Sequence, residues 1–203
     1  MDTPLTALAI SCTLKPSPAS SSSDLLARQL LDDLGEHGVT GDLVRAVDFD
    51  IRPGVEKDMG EGDQWPTLRQ RVLDADILVF VTPTWMGQHS SVAQRVLERL
   101  DAELSETDEQ GRPILFDKVA LAGVLGNEDG AHHISAILFQ ALNDIGYTIP
   151  AQTSVYWNGE AMQTVDYKDL DETPEAVSSA IATATRNAAH LARQLTAQAY
   201  PAE

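Results

Sequence analysis

Asp76-Ile77-Leu78-Val79-Phe80-Val81, running directly into Thr82-Pro83-Thr84-Trp85-Met86-Gly87-Gln88-His89-Ser90-Ser91, is the stretch that decides the fold. An unbroken apolar run of this length, rich in β-branched residues, predicts a strand covered on both faces, as strands of parallel sheets are. The turn-rich loop Thr82 to Ser91 leads into a helical pattern over Val92 to Leu104, so the unit is strand, loop, helix. Upstream, Leu5 to Ser11 predicts a strand and Cys12 to Ser23 a loop rich in Ser and Pro. Asp24 to Glu36 predicts a helix with Leu25, Leu26, Leu30, Leu31 and Leu34 on one stripe, ended by Gly35, His37 and Gly38. Asp42 to Val47 predicts a second strand, and Trp65 to Asp74 a short helix with Pro66 in its first turn. Between them lies the polar connection Asp48 to Gln64, of a length that marks functional or mobile loops. Downstream, Glu103 to Arg112 is polar and expected to be exposed. Lys118 to Leu125 predicts a strand, Gly126 to Gly130 a loop, Ala131 to Asp144 a helix and Ile149 to Trp157 a fifth strand. Pro174 to Ala199 predicts the last helix, with Thr173 as its N-cap.

Buried strands that alternate with helices predict an α/β fold of three layers, a parallel sheet covered on both faces. The right-handed crossover rule makes 2-1-3-4-5 the simplest order for five strands. In such sheets ligands sit outside the carboxyl ends of the strands, between the first and third. A chain of 203 residues suits one domain spanning 1–203.

Charge and cysteine content narrow the function. With 31 acidic against 14 basic residues the formal charge is −17, which repels phosphodiester backbones and anionic membrane surfaces, so neither nucleic acid nor membrane is an expected partner. The lone Cys12 builds no disulfide framework, and adjacent His132 and His133 point apart on a helix, so no metal site is expected. Cys12 suits a small buried hydrophobe, although a place beside an anion-binding helix start would lower its pKa. Met1-Asp2-Thr3-Pro4 lacks the basic start and apolar run of a signal peptide, and the expectation is a cytoplasmic protein.

Three loops meet at the predicted ligand edge. The first carries Ser11, Thr13, Lys15, Ser17, Ser20, Ser21 and Ser22 at a helix start, where backbone N–H groups, hydroxyls and one cation favour a phosphate. Taken alone it is equally a polar loop with a serine N-cap. Neither GxGxxG nor GxxxxGK[ST] occurs. The second carries Pro83, Thr84, Trp85, Met86 and Gly87; an aromatic and a thioether suit the flat face of a heterocycle, and Gly87 permits close backbone approach, unless Trp85 simply caps the core. The third, with Gly126, Asn127 and Gly130, offers backbone N–H groups to a ring edge, or is an ordinary turn.

On these residues the chain resembles the flavodoxin-like NAD(P)H-dependent FMN reductases and quinone reductases. A strand runs into a serine-rich phosphate loop, Ser11 to Ser23, and Pro83-Thr84-Trp85-Met86-Gly87 is similar to the family's Pro-Thr-Tyr-x-Gly. The chain departs from the family at Ser11-Cys12-Thr13-Leu14-Lys15, where Gly-Ser-x-Arg is common, at Trp85, and in Glu128 and Asp129, which bring negative charge toward a flavin. The resemblance implies FMN as cofactor, with the second loop packed on its ring, NAD(P)H as electron donor, a small-molecule acceptor, and a homodimer or homotetramer. It implies flavin-borne chemistry with no obligatory acid–base residue. His89, His132 and His133 are either solvated or proton relays. The competing reading is a flavodoxin-type carrier without NAD(P)H turnover, against which stands the absence of a Thr-x-Thr-Gly-x-Thr loop. A response-regulator receiver would need acidic residues where Ser11-Cys12 and Thr82-Pro83 stand.

Overall fold

Alternation along the strands sorts the chain into layers. In the computed structural model, which describes residues 4–160 and 163–202, β1 (Leu5–Ser11), β2 (Val39–Arg45), β3 (Ile77–Trp85), β5 (Val119–Gly126) and β6 (Ser154–Asn158) form a parallel sheet in the order β2-β1-β3-β5-β6. This is the expected order 2-1-3-4-5 of a flavodoxin-like fold. Ile77, Val79 and Val81 of β3 pack under helices α1 (Ser22–Glu36) and α5 (Glu175–Ala197), whereas Leu78 and Phe80 pack under α2 (Trp65–Asp74), α3 (Ser91–Leu100) and α4 (Ala131–Asp144). Successive residues from Ile77 to Val81 thus alternate between two cores, the period-2 consequence of a pleated strand covered on both sides. The first residues of the N-terminal sequence, Met1 to Thr3, lie outside the described residues.

Several boundaries differ from expectation. β3 continues through Pro83 to Trp85 and then turns back into the two-residue β4 (Gln88–His89), which pairs with it antiparallel. β1 ends opposite Val81, so beyond that point one edge of β3 has no parallel neighbour and proline is tolerated. β2 starts at Val39, because Thr40, Gly41 and Asp42 sit on an exposed edge whose composition hides the strand. β6 starts only at Ser154. Thr173 is not the cap of α5. Pro174 takes that position, and the Thr173 hydroxyl accepts a hydrogen bond from Gln29 Nε2 of α1 at 2.7 Å.

Two largely exposed polar segments are each anchored to the body by a buried ion pair. The fully buried Arg99 side chain donates to the carbonyls of Arg52 and Glu56 and pairs with Asp63 at 2.8 Å, pinning the connection 49–64 onto α3. Glu103, expected in an exposed segment, is buried and held by two hydrogen bonds from Arg69, at 2.6 and 2.8 Å. A buried carboxylate survives only with such pairing.

Candidate functional site

The carboxyl ends of β1, β3 and β5 bring the three predicted loops to one cleft of about 330 Å³, within the range of small-molecule sites. Its floor at one end is the start of α1. Ser21 caps that helix by accepting the Asp24 N–H, and Ser21, Ser22 and Ser23 line the cleft with Thr13 and Lys15. N–H groups of a first helical turn, hydroxyls and one ammonium are together groups that suit an anion.

A buried ion pair shapes this loop. Asp24 Oδ2 accepts from Arg45 Nε at 2.7 Å, and Asp24 Oδ1 accepts from the Ser11 hydroxyl at 2.6 Å. The same guanidinium donates to the carbonyls of Lys15 and Ala19, at 3.0 and 2.6 Å. Farther out, Ser17 donates its N–H and hydroxyl to Asp48. Burial pushes the Asp48 carboxyl up, but the Ser17 hydrogen bonds and the Arg45 charge outweigh it and leave its pKa lowered. The loop is therefore held by its backbone, which leaves Lys15 exposed and its ammonium without an ion-pair partner among the described residues.

The opposite side is aromatic. Pro83, Thr84 and Trp85 come from the end of β3, and Trp157 and Tyr167 from the far side of the sheet, their rings 5.6 Å apart and tilted by 52°. Trp85 is 54% exposed although it ends a strand that is buried from Ile77 to Thr82. Between the walls lie Leu125, Gly126, Asn127, Glu128 and Asp166, with Asn127 Nδ2 donating to Asp166 at 3.2 Å. A side chain at Gly126 would come within 2.7 Å of Thr84 Cβ. The Thr84 hydroxyl is buried with no hydrogen-bond partner.

Not every predicted residue lines the cleft. Thr13, Lys15, Ser21, Ser22, Pro83, Thr84, Trp85, Gly126 and Asn127 do. Ser11 is fully buried against Asp24, and Ser20 is exposed outside the lining. Met86, Gly87 and Gly130 build the junction between the second and third loops. Met86 and Gly87 occupy the two central positions of the β3–β4 hairpin, both with positive φ (54° and 71°), as a type I′ turn requires. A left-handed methionine costs about 1 kcal/mol. Both amides donate to the Glu128 carboxylate, at 2.9 and 3.1 Å. A side chain at Gly130 would fall within 2.9 Å of the Gly87 backbone, so only glycine lets these loops touch. Glu128, expected only as a negative charge nearby, also lines the cleft, and Trp157, Asp166 and Tyr167 join the lining without a local signal in the sequence. The histidines stand off: His132 bonds Tyr156, His133 bonds Gln88 and His89 bonds Gln94. Cys12 is fully buried and burial pushes its thiol far up, so the helix start does not activate it. No group of metal-ligating side chains occurs among the described residues.

An orphaned hydroxyl, an aromatic slot and a helix-start anion pocket in one cleft fit a flat heterocycle bearing a phosphate. The sequence matches the NADPH-dependent FMN reductase family over residues 5–161. The chain belongs to that family. It is 30% identical over 201 residues to the 8-demethyl-8-aminoriboflavin-5'-phosphate synthase of Streptomyces davaonensis, covering 94% of this chain and 78% of that protein. It is 44% identical over 169 residues to a Mycobacterium bovis protein named divalent metal cation transporter MntH, covering 81% of this chain. The chain spans only 25% of the length of that relative. No helix among the described residues is long and apolar enough to cross a membrane. Among solved structures, RosB with bound 8-demethyl-8-formylriboflavin-5'-phosphate superposes with a TM-score of 0.87 at 30% identity, covering 97% of this chain and 82% of that one. A flavone reductase superposes at 0.69 with 15% identity, covering 97% of this chain and 66% of that one, which shows the shared fold. Membership of this FMN reductase family supports FMN as the cofactor of the cleft and NAD(P)H as the electron donor.

Proposed function

We propose that this chain is a single FMN-binding domain over 1–203 that takes electrons from NAD(P)H and passes them to a quinone, a free flavin or a similar small acceptor. The observation that carries this reading is the convergence of the α1 start, the Pro83-Thr84-Trp85 segment and Gly126-Asn127 on one cleft. When bound, FMN supplies the two-electron chemistry that joins donor to acceptor. The protein's part is to hold and orient it. Ser21, Ser22 and Ser23, with Thr13 and Lys15, hold the phosphate. Trp85 and Trp157 flank the ring and exclude water from its faces, and the Thr84 hydroxyl takes a polar edge atom as its missing partner. Asp166 fixes the Asn127 amide beside the same edge. The exposed Trp85 and Met86 give a second copy of the chain an apolar rim to cover, which supports a homodimer or homotetramer, and a lone cysteine that builds no disulfide framework fits a reducing cytoplasm.

The test is oxidation of NADH or NADPH by purified protein with FMN and a quinone. The expected result is donor consumption that needs both FMN and protein. Saturable FMN binding without turnover would instead identify a flavodoxin-type carrier.

The 0.87 superposition on RosB, against 0.69 for the flavone reductase, favours a second reading. In it the bound flavin phosphate is itself the substrate, altered at the ring's 8-position. Mass spectrometry of the flavin after turnover separates the two: FMN recovered unchanged supports the first, a mass change the second.

A further inference from the structure

The Glu128 carboxylate accepts from two successive backbone amides, Met86 and Gly87, at the tip of the hairpin that carries Trp85. Successive N–H groups converging in this way form an anion-binding nest. Here the anion is a side chain from the neighbouring loop. Several observations point the same way. The turn holds a methionine in the left-handed region, which lacks the short polar side chain that stabilises Asn or Asp there. Gly130 lets the third loop come against the Gly87 backbone. Glu128 also lines the cleft, half-buried, so its carboxylate stands between the hairpin and the site.

We infer that Glu128 is a positioning residue: its carboxylate clamps the Met86–Gly87 turn so that Trp85 is held as a wall of the cleft before the cofactor arrives. The inference rests on the reading of the cleft as an FMN site only for its consequence, not for the clamp itself. A preset wall spares the cofactor the entropy of ordering it, so the clamp raises affinity without touching the reacting atoms. The same bonds compensate the negative charge that Glu128 brings toward the cleft, because two N–H dipoles already point at it. Asp129, its neighbour, is different. It is exposed and accepts only from the Gly130 amide within its own loop.

The experiment compares wild type, Glu128→Gln, Glu128→Asp and Asp129→Asn. Amide hydrogen exchange at Met86 and Gly87 is followed without flavin, together with the fluorine resonance of Trp85 in protein labelled with 5-fluorotryptophan; FMN dissociation constants are then measured by titration. Glu128→Gln keeps one acceptor and loses the charge, and Glu128→Asp keeps the charge and loses the reach. The expected result is exchange at both amides about tenfold faster in Glu128→Gln, and faster in Glu128→Asp, with a shifted or broadened Trp85 resonance. The FMN constant should rise about tenfold in Glu128→Gln, while Asp129→Asn leaves exchange and resonance at wild-type values. Wild-type exchange at Met86 and Gly87 in both Glu128 variants overturns the clamp. Faster exchange with wild-type FMN affinity overturns the positioning role. A fall in FMN affinity of the same size in Asp129→Asn also overturns it, because the loss would then not be specific to the residue that holds the turn. If wild type binds no FMN, the functional reading fails, and the exchange data still decide the clamp. A Glu128→Gln chain that does not fold leaves the decision to Glu128→Asp.

Discussion

Arg99 and Asp63 show how much one buried pair decides. Both side chains are fully buried and 2.8 Å apart, and the guanidinium also lies 5.5 Å from the centre of the Trp65 ring. Burial alone would raise the Asp63 carboxyl; the Arg99 hydrogen bond and the N–H groups of Met59, Trp65 and Arg52 outweigh it and hold it far below the usual carboxylate range. A depressed pKa means the pair stabilises at every pH above the ordinary carboxyl value and is lost only as pH falls through the folded-state value. Asp63→Asn should therefore cost about 3–5 kcal/mol near neutrality. The gap to wild type in urea melts should stay level from pH 8 to about pH 5 and shrink in strong acid. A gap that widens on acidification would contradict this assignment. Thr84 makes the opposite case. Its buried hydroxyl has no partner, so Thr84→Val should leave the stability of the flavin-free protein within about 1 kcal/mol of wild type. FMN affinity should nonetheless fall about two- to tenfold, readable by titration, as the hydroxyl's intended partner is lost. Residue identities at the site were partly legible: a serine-rich loop before a helix, and an aromatic after Pro-Thr, announce their chemistry by composition. Glu128 was legible only as a charge. Its role as acceptor for Met86 and Gly87 depends on a contact between two loops, which no local pattern encodes.

At the scale of the element, the first and second loops are set by what braces them. Arg45 on β2 and Asp24 on α1 are buried together, and the guanidinium reaches two loop carbonyls. Ser90 at the start of α3 donates its hydroxyl to the Cys12 carbonyl at 2.6 Å, tying the first loop to the second. Arg45→Met should cost about 3–5 kcal/mol by leaving Asp24 buried and unpaired, and should loosen the anion pocket, seen as faster exchange at loop amides. In the β3–β4 hairpin the left-handed Met86 carries strain that asparagine tolerates better, so Met86→Asn should raise thermal stability by about 1 kcal/mol. An unchanged or lower melting temperature would show that the turn is not strained. Strand existence was legible because the central runs β1, β3 and β5 are apolar on both faces. Strand ends were not, for two physical reasons. β2 is an edge whose first half is polar and exposed, and β3 runs on past its β1 neighbour, where Pro83 breaks the pattern without breaking the strand.

For the whole molecule, the order β2-β1-β3-β5-β6 places the cleft, since the chain reverses direction across the sheet between β1 and β3 and leaves a crevice there. That much followed from alternation of strand and helix. The far wall did not: Trp157, Asp166 and Tyr167 come from β6 and the segment after it, which folds back until Tyr167 donates its hydroxyl to Gln29 on α1 at 2.7 Å. The molecule's charge of −17 bears on the cleft as well, because a dianionic phosphate must be drawn into an acidic protein. Only a local arrangement of helix-start N–H groups, hydroxyls and Lys15 does that. The most direct measurement is a pair of equilibrium titrations at one salt concentration, with FMN and with riboflavin, which shares the ring and lacks the phosphate. One FMN should bind per chain, quenching Trp85 emission, and riboflavin should bind at least about tenfold more weakly, as loss of charge-assisted hydrogen bonds requires. Equal affinity for the two, or no saturable binding of FMN, would contradict the account.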